Sequence, residues 1–136
     1  MYFKRVINFI HADSYCKRQK RHRTKNPSKS VKTITKKTMK FLRDMEDTMF
    51  KAKGVGIAAP QVGVNERIFL ALLDQERVVA MVNPEIISYS VGETIEMEEG
   101  CLSLPGKWAN TPRYKEVTLQ YLDEMGHEKN HEINRI

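Results

Sequence analysis

The hydrophobic period of this chain changes once, beside a glycine, and that switch limits the folds open to it. From Val31 onward, Ile34, Thr38, Leu42, Met45, Met49 and Ala52 recur at spacings of three and four, the stripe of an amphipathic helix with one face for a core. Thr33 or Thr35 can cap its start, Lys51 and Lys53 suit its last turn, and Gly54 is expected to end it in the left-handed conformation. The methionines in the stripe read as core filler. Beyond Gly54 the pattern is strand-like. "RIFLALL" and "RVVAMV" flank a short hairpin connection, "DQE", and Asn83-Pro84 is expected to stop the second strand. "ETIEMEEG" alternates, as does "EVTLQYLD" before the turn "DEMG". One helix followed by several antiparallel strands is an α+β domain.

Charge divides the chain earlier, just before the helix. Residues 1 to 30 hold nine Lys or Arg against one acid, Asp13, a net of +8. The other fourteen basic and sixteen acidic residues give the remainder −2, so the overall +6 belongs to the leader. Residues 1–30 are therefore expected to be a basic, mobile arm, and residues 31–136 the folded domain. The arm has no apolar periodicity in "CKRQKRHRTKNPSKS" and no aromatic interleaved with its cations. Any hold on RNA or the ribosome would be electrostatic and unspecific. Its acid-poor composition overlaps with organellar transit peptides, which leaves an organellar address as the alternative to the cytoplasm. No apolar run reaches the roughly 18 residues a membrane span needs, and two cysteines, Cys16 and Cys101, make no disulfide framework.

Two glycine-bounded segments carry the chemistry. "GVGIAAPQVG" (Gly54 to Gly63) follows a helix and precedes a strand, the reverse of a dinucleotide fingerprint. Gln61 stands at its lip, placed to donate its amide to a ligand oxygen. In "EEGCLSLPG" (Glu98 to Gly106), Gly100 permits a close approach of the backbone, and Pro105-Gly106 is expected to turn the chain away. Cys101, read alone, is either a buried apolar residue or a ligand.

In this order, with a strand pair between them, the two segments resemble the first two signature motifs of the peptide deformylases. The preceding "TKKTMKFLRDMEDTMFKAKG" and the following "TPRYKEVTLQYLDEMG" are similar to that family as well, whereas residues 1 to 30 are unlike its usual opening strand. The resemblance implies a metalloenzyme that removes formyl from the N-formylmethionine of new proteins, with a divalent metal, typically Fe2+, held by one cysteine and two histidines. Cys101 matches the cysteine ligand. Gln61 and the backbone N–H of Leu102 match the groups that stabilise the oxyanion. Val55 and Gly56 match the main chain along which the N-formylmethionyl peptide lies as an added strand. Arg113 matches a recurrent arginine whose role is structural, or paired with a carboxylate, rather than chemical.

The family's third motif, Q-H-E-x-D-H on a helix, has a partial counterpart in His127-Glu128-Lys129-Asn130-His131. Three features count against equating them. The 26 residues from Cys101 to His127 fall short of the family's spacing by about four turns of helix. "YLDEMG" resembles the strand and turn after which another strand, not the helix, is due. "HEKNHEINRI" offers only Ile133 and Ile136 for a helix to bury. The expectation is a deformylase-like chain that lacks its C-terminal catalytic helix and is inactive or impaired, prone to associate through the sheet face that helix would cover. The alternatives are an active enzyme using His127, Glu128 and His131 as a displaced third motif, and a non-catalytic RNA binder acting through the leader.

Overall fold

The computed structural model describes residues 27–73, 77–101 and 104–134. Its helix, α1 (Lys36–Lys51), is followed by strands β1 (Gly56–Ala58), β2 (Ile68–Leu73), β3 (Arg77–Tyr89), β4 (Thr94–Cys101), β5 (Leu104–Tyr114), β6 (Glu116–Leu122) and β7 (Glu128–Asn134). An antiparallel five-stranded sheet has the order β1-β2-β3-β6-β7, and β4 and β5 form a separate two-stranded ribbon. The α+β reading holds. The basic arm, up to residue 26, and the "DQE" connection lie outside the described residues.

Thr35 is the residue that caps α1. Its hydroxyl accepts the Thr38 N–H at 3.3 Å while Thr38 Oγ1 accepts the Thr35 N–H at 3.2 Å, a reciprocal box. Leu42, Met45 and Met49 of the expected stripe are buried. Each contributes roughly 1.5–3 kcal/mol by leaving water. The helix ends one residue earlier than its glycine suggests. Lys53 takes the left-handed conformation (φ 52°), and the Gly54 N–H reaches back to the Met49 carbonyl at 2.9 Å. The two bonds of a Schellman motif, this one and Lys53 N–H to Phe50 O at 2.9 Å, put the left-handed residue before Gly54 rather than on it.

Asn83-Pro84 does not stop its strand; β3 runs through it to Tyr89. Asn83 has φ 51°, and the pairing with β6 shifts register between Val82 and Glu85. The pair therefore forms a bulge, where a proline without an N–H breaks no ladder bond. A tertiary contact holds it. The Asn83 amide accepts the Val31 N–H at 2.8 Å and donates to the Val31 carbonyl at 2.8 Å.

The sheet separates two apolar clusters. On one face Ile57, Ile68, Leu70, Ala80 and Val82 pack with Leu42, Met45 and Met49 of α1. On the other, Phe69, Leu73, Met81, Val117, Leu119 and Ile133 are buried together. The ribbon joins the sheet where Tyr89 stacks on Tyr114, ring centroids 4.4 Å apart. Tyr114 also packs against the second cluster. No helix among the described residues is long and apolar enough to cross a membrane.

Candidate active site

The first motif forms the edge of the sheet. Val55 is buried, and its carbonyl accepts the Leu72 N–H at 2.9 Å. Antiparallel ladders alternate, so a residue that bonds its neighbour is followed by one whose N–H and C=O point the other way. With Gly56 opposite Ala71 and Ile57 opposite Leu70, the main-chain groups of Gly56 and Ala58 point to the outer edge of β1. The structure thus divides the expected pair: the Val55 carbonyl is held inside the sheet, and Gly56 presents the outward groups.

A 3-10 turn, Ala59–Val62, follows directly, started by Pro60 near its N-terminus and closed by Gly63 at φ 85°. That φ and the short return put Gln61 back over β1. Its Oε1 accepts the Ala58 N–H at 2.8 Å, the very donor that alternation turns outward. The acceptor end of the amide is thereby fixed against the backbone, which orients the side chain and assigns its donor end to the opposite side.

The second motif lies at the tip of the ribbon. Cys101 ends β4 and is opposite Leu104, while Gly100 is opposite Trp108. Three residues of β5, Pro105 to Lys107, bulge between these pairs, with Gly106 at φ 73°. Pro105-Gly106 therefore bends β5 instead of turning the chain away. The Cys101 side chain and all of Leu102 lie outside the described residues. Arg113 is opposite Ile95, half-buried.

His127-Glu128-Lys129-Asn130-His131 is not helical. It enters and runs along β7, with Glu128 opposite Leu122 and His131 opposite Leu119. The turn before it is tied by Asp123, whose Oδ1 accepts the N–H of Met125 and of His127, both at 2.9 Å. Desolvation pushes the Asp123 carboxyl up, but these two bonds, with the charges of His127 and Lys129, outweigh it and hold it below the usual carboxylate range. At a rise of about 3.4 Å per residue, His127 and His131 have Cα atoms roughly 13 Å apart, against about 6 Å for the same spacing on a helix. Glu128, three residues before His131, is on the opposite face of the strand and accepts Gln120 Nε2 at 3.0 Å. It lines a shallow cavity of about 200 Å³ with Asn83, Glu85, Gln120, Tyr121 and Leu122, none of them from the first two motifs. Among the described residues no three His, Cys, Asp or Glu side chains are grouped to hold a metal. The two histidines therefore do not fit the ligand set that the deformylase resemblance implies.

The profile of the polypeptide deformylase family matches residues 17–136. The chain belongs to this family. The peptide deformylase of Pseudothermotoga lettingae is 42% identical over 101 residues, covering 74% of this chain and 57% of that protein. That of Halothermothrix orenii is 43% identical over 105 residues, covering 76% and 67%. The crystal structure of Synechococcus elongatus peptide deformylase in complex with actinonin superposes with a TM-score of 0.76 at 32% identity, over 82% of this chain and 60% of that one. The Legionella pneumophila peptide deformylase gives 0.76 at 36%, over 82% and 66%. This deformylase-family chain thus spans from just over half to two thirds of the length of these relatives. Two features of its site escaped the sequence. The Asn83 clamp depends on a partner 52 residues away, and the pairing of Gly100 with Trp108 depends on a bulge at Pro105-Gly106.

Proposed function

We propose that this chain binds the N-formylmethionyl end of a nascent peptide as a strand added to the outer edge of β1. Gly56 supplies main-chain bonds to that peptide, and Val55 its buried backing. The Gln61 amide and the Leu102 N–H are the donors to the formyl oxygen, and Cys101 is the thiolate that would face a divalent metal, Fe2+ in the family pattern. The observation that carries this reading is the Gln61–Ala58 bond, which orients the Gln61 amide beside the outer edge of β1. Hydrolysis is a different matter. His131 lies on β7 and His127 just before it, so among the described residues they are not set at helical spacing to complete a three-ligand metal site with Cys101. The residues described here support binding without efficient turnover. The displaced-motif reading has no geometric support among the described residues, and residues 1–26 of the basic leader lie outside them.

Actinonin, which the Synechococcus elongatus structure contains, and N-formyl-Met-Ala-Ser serve as probes. Calorimetry should detect saturable binding of both, lost or weakened at least tenfold in Gln61→Ala. With Fe2+, Ni2+ or Zn2+ supplied, formate release should stay near background. Turnover that is abolished by His127→Ala or Glu128→Ala would overturn the reading in favour of an active enzyme, and absence of binding would overturn it altogether.

A further inference from the structure

The second apolar cluster of the sheet is sealed, although little of the described chain lies over it. Leu73, Met81 and Leu119 are 0% exposed, and Phe69, Val117 and Ile133 are 3%, 2% and 2%. These residues come from four strands, β2, β3, β6 and β7, and α1 packs on the opposite face. Among the described residues, the one side chain from outside the sheet that packs against this cluster is Tyr114 of the ribbon. A sheet face without a second layer keeps its side chains partly in water, so a single ring does not account for burial across four strands. The burial is that of one chain, so a second copy is not its source. Outside the description, 74–76, 102–103 and 135–136 are runs of two or three residues, too short to cover four strands about 14 Å across. The leader is long enough.

The start of the leader also has the pattern such a face requires. Tyr2, Phe3, Val6, Ile7, Phe9 and Ile10 are apolar, whereas Lys4, Arg5, Asn8 and His11 are polar. At 3.6 residues per turn the apolar six fall on one arc of about 160°, and the polar four take the rest. Residues 2–10 as a helix would be about 14 Å long, which matches the width of the four strands. So short a helix is marginal in water and needs an apolar surface to stabilise it. The other end of the leader is anchored beside that surface. The Lys29 N–H donates to Asn65 O at 3.0 Å and the Arg67 N–H to Lys29 O at 2.8 Å, directly before β2, whose Phe69 and Leu73 belong to the cluster. Residues 11–26 can reach roughly 50 Å when extended, ample for the return. We propose that residues 2–10 fold as an amphipathic helix and dock on the second face of the sheet, over Leu73, Met81 and Leu119. The leader is then an intramolecular cover for the core, with its basic stretch as the tether. This inference is independent of the peptide-binding reading above.

Photocrosslinking of the full chain tests the contact. With p-benzoylphenylalanine in place of Phe9, irradiation of dilute protein should join residue 9 to the segments that carry Leu73, Met81 or Leu119 within one chain. Val6→Asp puts a charge at the centre of the apolar arc. Added to the crosslinking protein, it should abolish the adduct. Alone, it should raise the emission of an added apolar dye severalfold and lower the melting midpoint by about 5 °C or more. Asn8→Asp, at the centre of the polar arc, should leave all three readings unchanged. Amide exchange in the unsubstituted chain should show residues 2–10 protected at least tenfold over the tether. Adducts only between chains, or only to the ribbon, would overturn the proposal, as would equal behaviour of Val6→Asp and Asn8→Asp. Protection of residues 2–10 that arises only on anionic phospholipid vesicles would overturn it in favour of a membrane-surface role.

Discussion

Replacing Asn83 tests whether the β3 bulge is held by its side chain or by its backbone. The amide makes two bonds to Val31, each of 2.8 Å, and both are part-buried. Each contributes about 1 kcal/mol net, and their loss leaves a partly buried N–H and C=O without these partners. Asn83 also sits at φ 51°, where alanine is disfavoured by roughly 1 kcal/mol relative to glycine, while asparagine is tolerated. Asn83→Ala should therefore lose about 3 kcal/mol, and Asn83→Gly about 2 kcal/mol, because glycine forfeits the bonds but not the conformation. Urea unfolding with a shared slope measures both, and amide exchange at Val31 shows whether the lost stability is local. A loss below about 1 kcal/mol in both variants would refute the clamp. A glycine variant no more stable than alanine would refute the claim that backbone strain is involved.

The remaining predictions concern the site and its setting. Gln61→Glu keeps an acceptor for the Ala58 N–H but replaces the donor with a charge. It should leave stability within about 0.5 kcal/mol and weaken binding of N-formyl-Met-Ala-Ser at least tenfold by calorimetry. Acid should loosen the β6–β7 hairpin first. The Asp123 carboxyl is held below its ordinary value of 3.8, so its contribution is complete above that value and is lost as pH falls through the lower folded value. Asp123→Asn should flatten this dependence, read as amide exchange at Met125 and His127. Ile87, Tyr89 and Val91 are 49%, 51% and 87% exposed on and just after β3, so the isolated chain should self-associate at high concentration. Sedimentation that stays monomeric across a hundredfold concentration range would refute this.

Where period and pairing are local, the sequence was readable. The stripe from Ile34 to Met49 and the alternation of "EVTLQYLD" led directly to α1 and β6, since each residue's environment follows from its neighbours three or two positions away. The failures share a cause. Asn83-Pro84 reads as a stop because nothing nearby reveals that Val31 will satisfy the asparagine. Pro105-Gly106 reads as a turn because a bulge is defined by the opposite strand, not by its own residues. His127 to His131 spells a metal motif only if helical, and its pairing with β6 gives the same letters a period of two. The bond of Gln61 to Ala58, only three residues away, is local but depends on the 3-10 turn that Pro60 starts; the choice of Gln61 itself came from the two glycine-bounded motifs.

The bond between Val31 and Asn83 also sets an order of assembly. Its partners are 52 positions apart, whereas β2 and β3 are neighbours joined by a hairpin. Closing the short loop costs far less chain entropy than closing the long one. The bulge that presents Asn83 exists only once that hairpin and its shift against β6 have formed, so the lead-in to α1 has no partner to lock onto before then. The helix capped by Thr35 can form early, but its docking waits for the sheet. Mutations at Asn83 should therefore act mainly on the unfolding rate, leaving the first step of folding almost untouched.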